Sequence, residues 1–404
     1  MNACIALVLG LVAAAQEGTL VTATNASIPA RDVTLVSEKG ELILKYTDSA
    51  GRAQSIKAAD VVELTLGVGR SGPAAKSGLE DVDITLTTGD LLSGRVGARS
   101  EEGIQLLSKV YGDPLVKFGQ IHHVIFPVND RFLPKQLPAK ADAADIIFTK
   151  AGDRGTGSIK TVSTAGVVYY SEKRQTDVSL APGAVAGIWL IEDPTSKVPA
   201  EPDRPFAAIL TTDGSSIRGE IQSLSGGVLA FTDLYGKEHK VAANHVAGIY
   251  MKNGRVVYLS DLKPSAVSED ANFIRGAAKM PSDLEFPWQA DRSARGGKLV
   301  LGGAEHRKGL GVRAHSAITY ALGGSYKRFQ ATFGLDAVSR GLGSVVGEVW
   351  VDGKKVKELP LKGNDAPQIL DLDLSGAKEL KLVVTWGGNG QSDFADWGSA
   401  RLVR

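Results

Sequence analysis

Apolar and polar positions alternate with a period of two along most of the chain, and helical spacing is hard to find in it. In the run 308–324, Ile318, Tyr320 and Leu322 are separated by small or polar residues, the mark of a strand with one buried face. Gly323-Gly324 closes that run as a turn. Strand patterns follow at 329–333, 344–351, 368–374 and 380–386, and the chain ends on another at 394–404. No stretch of helical period interrupts these runs, which predicts two sheets packed face to face over 283–404.

The earlier part of the chain repeats itself. Val61 and Leu64, Ile121 and Val124, Val185 and Ile188, and Val246 and Ile249 each form an apolar-x-x-apolar ending, and their first members are spaced 60, 64 and 61 residues apart. Spacing that regular predicts internal repetition. The copies also begin alike: residues 84–94 match 209–219, and 147–157 is a looser third version. Each beginning holds a Gly-Asp or Asp-Gly hairpin signal. Each also holds a second glycine (Gly94, Gly157, Gly219) where a bent strand needs relief from a Cβ clash. The first copy keeps the ending and lacks the glycine turn. The boundaries read 19–66, 81–128, 144–191 and 206–259, with five short strands in each. Such units resemble Sm-like or SH3-like small barrels. Segments 67–79, 129–144 and 193–205, rich in glycine or proline, read as short stiff linkers, and 261–287 as a connector to the sandwich.

The terminal stretch adds a family resemblance. "KGLGVRAHSAITYALGGSYKRFQATFGLD", "GSVVGEVWVDGKKV", "LDLSGAKELKLVV" and "DFADWGSARLV" follow one another between residues 286 and 404. In that order they resemble the NPCBM domain, a carbohydrate-binding module also attached to family 98 glycoside hydrolases. The resemblance implies a jelly-roll β-sandwich that binds glycans without cleaving them; periodicity alone does not point to a sugar. The fold class expected for the whole chain is therefore all-β, with tandem small β-barrel repeats followed by a C-terminal sandwich.

Composition narrows the function. The 404 residues carry a net charge of +1, with 47 glycines and one cysteine. From residue 271 onward 19 Lys and Arg face 14 Asp and Glu, which leaves 27 against 31 before it. Neither part has the basic excess that nucleic acid binding needs, so an RNA-binding role for the repeats is disfavoured. The apolar run 5–14, followed by Ala13-Ala14-Ala15, reads as a secretory signal spanning 1–15 and predicts an exported protein. The run is half the length of a membrane span. Removing it takes Cys4 with it, leaving no thiol for disulfides or catalysis.

Candidate ligand residues cluster in the tail. Trp386, Asn389, Gln391 and Asp393 sit on or beside a Gly-rich loop, where the ends of a sandwich carry binding. An indole with a few polar acceptors suits a hydroxyl-rich ring. Arg313 and His315, two residues apart, are expected on one strand face. Trp288 follows Phe286-Pro287 and either stacks on a sugar or pins the linker. Asp396 and Trp397 read instead as a turn cap and a core residue. Asn389, Asp393 and Asp396 could offer oxygens to Ca²⁺, without an EF-hand spacing; no other cofactor is expected. His122 and His123, adjacent on a strand, are expected on opposite faces. No G-x-S-x-G, H-E-x-x-H or P-loop occurs. The expectation is a non-catalytic exported glycan-binding protein, with the repeats as spacers or interaction modules. The competing expectation is a cell-surface scaffold that binds other proteins and no sugar.

Overall fold

The computed structural model describes residues 17–23, 27–66, 78–134, 137–141, 143–193, 196–202, 204–269, 287–388 and 392–404. Residues 1–15, on which the secretory signal falls, lie outside them. Strands account for nearly all regular structure, with only short 3-10 turns between them, so the chain is all-β. It divides into two compact units, residues 1–254 and 255–404.

The N-terminal unit carries four five-strand segments, at 18–66, 81–125, 145–189 and 206–252. In the fourth, strands Phe206–Thr211, Ser216–Ser225, Val228–Asp233 and Glu238–Ala242 form a meander, and Val246–Lys252 returns to pair with the first. The other three segments follow the same pairing scheme. The hairpin glycines Gly89, Gly152 and Gly214 all have positive φ, 87°, 84° and 95°. A Cβ at the second glycine would lie 2.7, 1.8 and 2.3 Å from a carbonyl oxygen of the neighbouring strand, for Gly94, Gly157 and Gly219 respectively. No side chain fits there without the sheet opening.

The segments do not stand apart on stiff linkers. Their closing strands pair with one another, the first with the fourth and the second with the third, in antiparallel register. The second apolar residue of each ending is the point of contact. Leu20, Leu64, Ile249 and Ile209 form one cross-strand row, and Ile84, Val124, Ile188 and Ile147 form the other. All eight are at most 1% exposed and belong to a single core. Residues directly opposite across antiparallel strands share a face, so each row buries four aliphatic side chains that no one copy could cover alone. The segment expected as a linker after copy two is likewise docked. Asn129 is buried in the 3-10 helix Pro127–Phe132 and donates from Nδ2 to the carbonyls of Gly183 and Val185, 2.9 Å each.

Two further expectations are corrected in this region. His122 and His123 do not point apart: their Nδ1 atoms lie 2.7 Å from each other. The ladder shifts register between Ile121 and His123, and a bulged residue breaks the strict alternation of faces. The fourth copy also ends before residue 259. Strand Val256–Tyr258 pairs with the last strand of the chain, Phe394–Val403, and so belongs to the C-terminal unit.

The C-terminal unit is a sandwich of two antiparallel sheets. In one, strands run in the order Gln289–Ala290, Gly309–Arg313, Phe394–Val403, Arg328–Leu335, Gln368–Asp373, with Val256–Tyr258 also beside Phe394–Val403. The other runs Ala266–Glu269, Ser316–Ala321, Glu379–Trp386, Ser344–Val351, Lys354–Lys362. Thus part of the expected connector is an edge strand, Ala266–Glu269. Leu310, Val312, Phe329, Phe333 and Trp397 from the first sheet meet Ile318, Tyr320, Leu382, Val345 and Val349 from the second in one core. A hairpin, Leu299–Leu301 with Ala304–His306, accompanies the first sheet.

Candidate functional site

The run 308–324 is not one strand. Gly309–Arg313 lies in the first sheet and Ser316–Ala321 in the second, and Ala314-His315 turns the chain between them. His315 adopts the left-handed conformation, φ 65°, which is costly for a residue with a Cβ. Arg313 and His315 are therefore not neighbours on one strand face. The corner nevertheless carries both to the same rim as the end of strand Glu379–Trp386. The His315 ring meets Trp386 edge-on, centroids 4.1 Å apart at 86°, and its backbone N–H donates to the Val384 carbonyl at 2.7 Å.

Asp393 completes that rim from the other side. Its carbonyl accepts the Ala314 N–H at 2.9 Å, and its Oδ1 accepts the Ser344 N–H at 2.7 Å. The side chain is 2% exposed. Burial raises its pKa, and the Ser344 bond and the charges of Arg313 and His315 oppose that rise. Burial likewise pulls the Arg313 pKa down, against the attraction of Asp393 and Glu269. Asp393 Oδ2 and His315 Nε2 are both shielded from solvent and meet no hydrogen-bond partner among the described residues. Buried polar atoms are nearly always paired, so two orphans on one rim call for an account. Trp386 remains 37% exposed.

Trp288 is half-buried against the sandwich core, and its backbone N–H donates to Glu269 Oε1 at 2.6 Å. Glu269 in turn is close enough to act on Arg313. The structure thus connects Trp288, Arg313, His315, Trp386 and Asp393, and adds Glu269, which the sequence reading assigned to a connector. Asn389 and Gln391 lie outside the described residues. Only their position in the chain, between Trp386 and Asp393, ties them to the rim.

Trp397 and Asp396 go elsewhere. Trp397 is a core residue, 4.3 Å from Phe333 between ring centroids. Asp396 caps no turn. It lies within strand Phe394–Val403, fully buried, and the one group its carboxyl meets among the described residues is the Asp336 carboxyl. Burial raises its pKa well above the usual carboxylate range, and the adjacent Asp336 carboxyl adds to the shift. Among the described residues no group of three or more His, Cys, Asp or Glu side chains is arranged to hold a metal. No helix among them is long and apolar enough to cross a membrane.

Several known proteins are similar to parts of this chain. A protein of Renibacterium salmoninarum named as an endo-alpha-N-acetylgalactosaminidase is 35% identical over 111 residues, 27% of this chain and 7% of that protein. The chain therefore spans a small fraction of that relative's length. Among solved structures, a CBM51 module of a Clostridium perfringens GH95 protein, in complex with methyl-galactose, is 29% identical, covering 37% of this chain and 99% of the module with a TM-score of 0.32. Tandem CBM51 modules of a family 98 glycoside hydrolase from Streptococcus pneumoniae SP3-BS71 are 15% identical over 80% of this chain and 88% of theirs, with a TM-score of 0.31. The family that the terminal motifs resemble, the NPCBM/NEW2 domain, matches residues 255–403, which is the C-terminal unit almost end to end.

Proposed function

We propose that the C-terminal unit binds a glycan at the rim formed by Trp386, His315, Arg313 and Asp393, with Trp288 beside it and Asn389 and Gln391 on the flanking loop. The observation that carries this reading is a partly exposed indole packed against a histidine, next to polar atoms that the fold leaves unmatched. A sugar has both an apolar ring face and hydroxyls that donate and accept, so it suits an aromatic wall with a few convergent polar groups. Trp386 supplies the wall. Arg313 and His315 supply donors. Asp393, almost wholly buried, holds those two by charge and takes a hydroxyl at Oδ2. The NPCBM/NEW2 match supports carbohydrate binding by this unit. The chain itself is proposed to be non-catalytic and exported, with the four-copy unit acting as spacer or interaction module.

Retention of the full chain on a glycan array, followed by calorimetry on the retained sugars, tests this. Trp386→Ala is expected to weaken binding by about tenfold to a hundredfold, which corresponds to roughly 1.4–2.8 kcal/mol, with the melting temperature unchanged. A chain that is retained on no glycan, or a Trp386→Ala variant that binds as tightly as the parent, would overturn the reading.

A further inference from the structure

The four-copy unit leaves a cleft open in one place and fills the equivalent place elsewhere. The first copy lies against the fourth, and the third against the second, through their closing strands. Each residue of the second copy corresponds to the one 125 further along, as Ile84 does to Ile209 and Val124 to Ile249. Between the first and fourth copies a cleft of about 370 Å³ opens, lined by Leu42, Ala58, Phe206, Ile221 and Met251 among others. At the corresponding place between the third and second copies, only about 10 Å³ remains.

Two exchanges between the copies account for the difference. Phe126 in the second copy stands where the fourth has Met251, and Leu79 stands where the fourth has Arg204. Phe126 and Leu79 both line the closed site. Leu79 reaches over Gly183, where a Cβ would lie 2.7 Å from Leu79 Cδ2; the first copy has Ala59 there, two residues before Val61 as Gly183 is before Val185. The ion pairs explain what each position can do. In the second copy Arg95 takes Glu80, and Leu79 is left to cover the seat. In the fourth, Glu220 takes Arg204 itself, Nε donating to Oε1 at 2.9 Å, so this position adds a charge to the mouth rather than an apolar cover. Lys57 Nζ donates to Glu41 Oε1 at 2.9 Å and makes the first copy's pair at the same cleft.

From this comparison we infer that the cleft between the first and fourth copies is a binding site for a small uncharged ligand, whose aliphatic or aryl group takes the place that Leu79 and Phe126 fill in the other pair. The volume falls within the range of ligand pockets, about 300–1,000 Å³, which are mostly apolar with a few polar groups. An apolar cavity offers water few partners and forfeits dispersion contacts across the gap, so an apolar group gains on both counts by entering. The charged residues that line the cleft are Glu41, Lys57, Arg204 and Glu220, and they neutralise one another in pairs. They leave no unmatched charge for an ionic ligand. The side chains that close the other site show which groups fit: a branched aliphatic chain and a benzyl ring. This inference does not use the rim of the sandwich, and either reading can fail alone.

The test uses the full chain with 4-phenylbutan-1-ol as the probe, its binding followed by calorimetry and by saturation-transfer NMR. The parent is expected to take up one equivalent. Arg204→Leu combined with Met251→Phe gives the fourth copy the residues of the second. That variant should bind the probe about tenfold more weakly or worse, and should melt no lower than the parent, because the new side chains fill a cavity. Leu79→Arg combined with Phe126→Met makes the reverse exchange; it should open the second seat and raise uptake to two equivalents. A parent that binds no probe overturns the inference. So does a filled variant that binds as tightly as the parent, which would put the probe elsewhere, such as against Trp386. Should the filled variant not fold, the reverse exchange decides: two equivalents uphold the inference and one overturns it.

Discussion

The two units treat their buried polar groups differently. Among the described residues of the four-copy unit the interior polar side chains are tied in, with Tyr111 Oη an exception. Asp90 takes Arg218 Nε at 2.7 Å, Asp145 accepts the N–H groups of Ile159 and Ile191 at 2.7 and 2.8 Å, and Asn129 spans two carbonyls. In the sandwich, His315 Nε2 and Asp393 Oδ2 are buried without such partners among the described residues, and the Asp336 and Asp396 carboxyls have only each other. Desolvating a polar group without a bond costs about 1–3 kcal/mol, so a fold carries several such groups only where something outside the chain completes them. The difference teaches where to look. The first unit uses its polar side chains to hold its own strands and copies together, and the second leaves polar atoms open on one rim.

The largest expected effect separates the two cores. Trp397 is 1% exposed and packs on Phe333, and the hydrophobic clusters of the two units share no residue. Trp397→Ala should cost about 3–5 kcal/mol, seen in denaturant as early loss of the C-terminal transition while the N-terminal one stays in place. A single transition shifting as a whole would show that the units are not separate in stability. Next comes a test of how the copies are joined. Ile188→Ala removes one member of the row Ile84, Val124, Ile188, Ile147 and should cost about 2–5 kcal/mol. Because the residue belongs to copy three and faces copy two, hydrogen exchange should quicken in both copies together. Quickening confined to 145–189 would mean that the shared row contributes little.

How far the sequence carried these features depends on how local they are. The apolar-x-x-apolar endings and the paired glycines follow from short-range alternation and turn chemistry, which a copy's own residues encode. That Leu64 faces Ile249, and Val124 faces Ile188, is a pairing between distant strands; nothing within one copy encodes it. The proline-rich and glycine-rich connectors suggested separation because composition reports local stiffness and says nothing of docking, as Asn129 shows. In the sandwich, Ile318, Tyr320 and Leu322 were legible as a buried face. The corner at Ala314-His315 was not, because alternation continues through a residue that leaves one sheet for the other. Arg313, His315, Trp386 and Asp393 were found by residue type and loop position. Asp336 was missed because it becomes informative only beside Asp396, 60 residues away in the chain.

The smallest effect probes the bulge that set His122 and His123 together. His123 stacks on Trp189, centroids 5.1 Å apart at 11°, and burial, helped by His122, lowers its pKa from 6.5 to about 4. Between those values the unfolded chain takes up a proton on this side chain that the folded one refuses, so protonation favours unfolding there. The stability that neutral His123 contributes is complete above about pH 6.5 and is lost progressively as pH falls toward 4. His123→Phe keeps a ring against Trp189 and removes the titration. Denaturation midpoints taken from pH 7 to pH 4 should therefore fall less steeply for His123→Phe than for the parent, the curves diverging most between pH 6 and pH 4.5. Parallel curves would place the His123 pKa near its free value, and with it an imidazole that water reaches in spite of the stack.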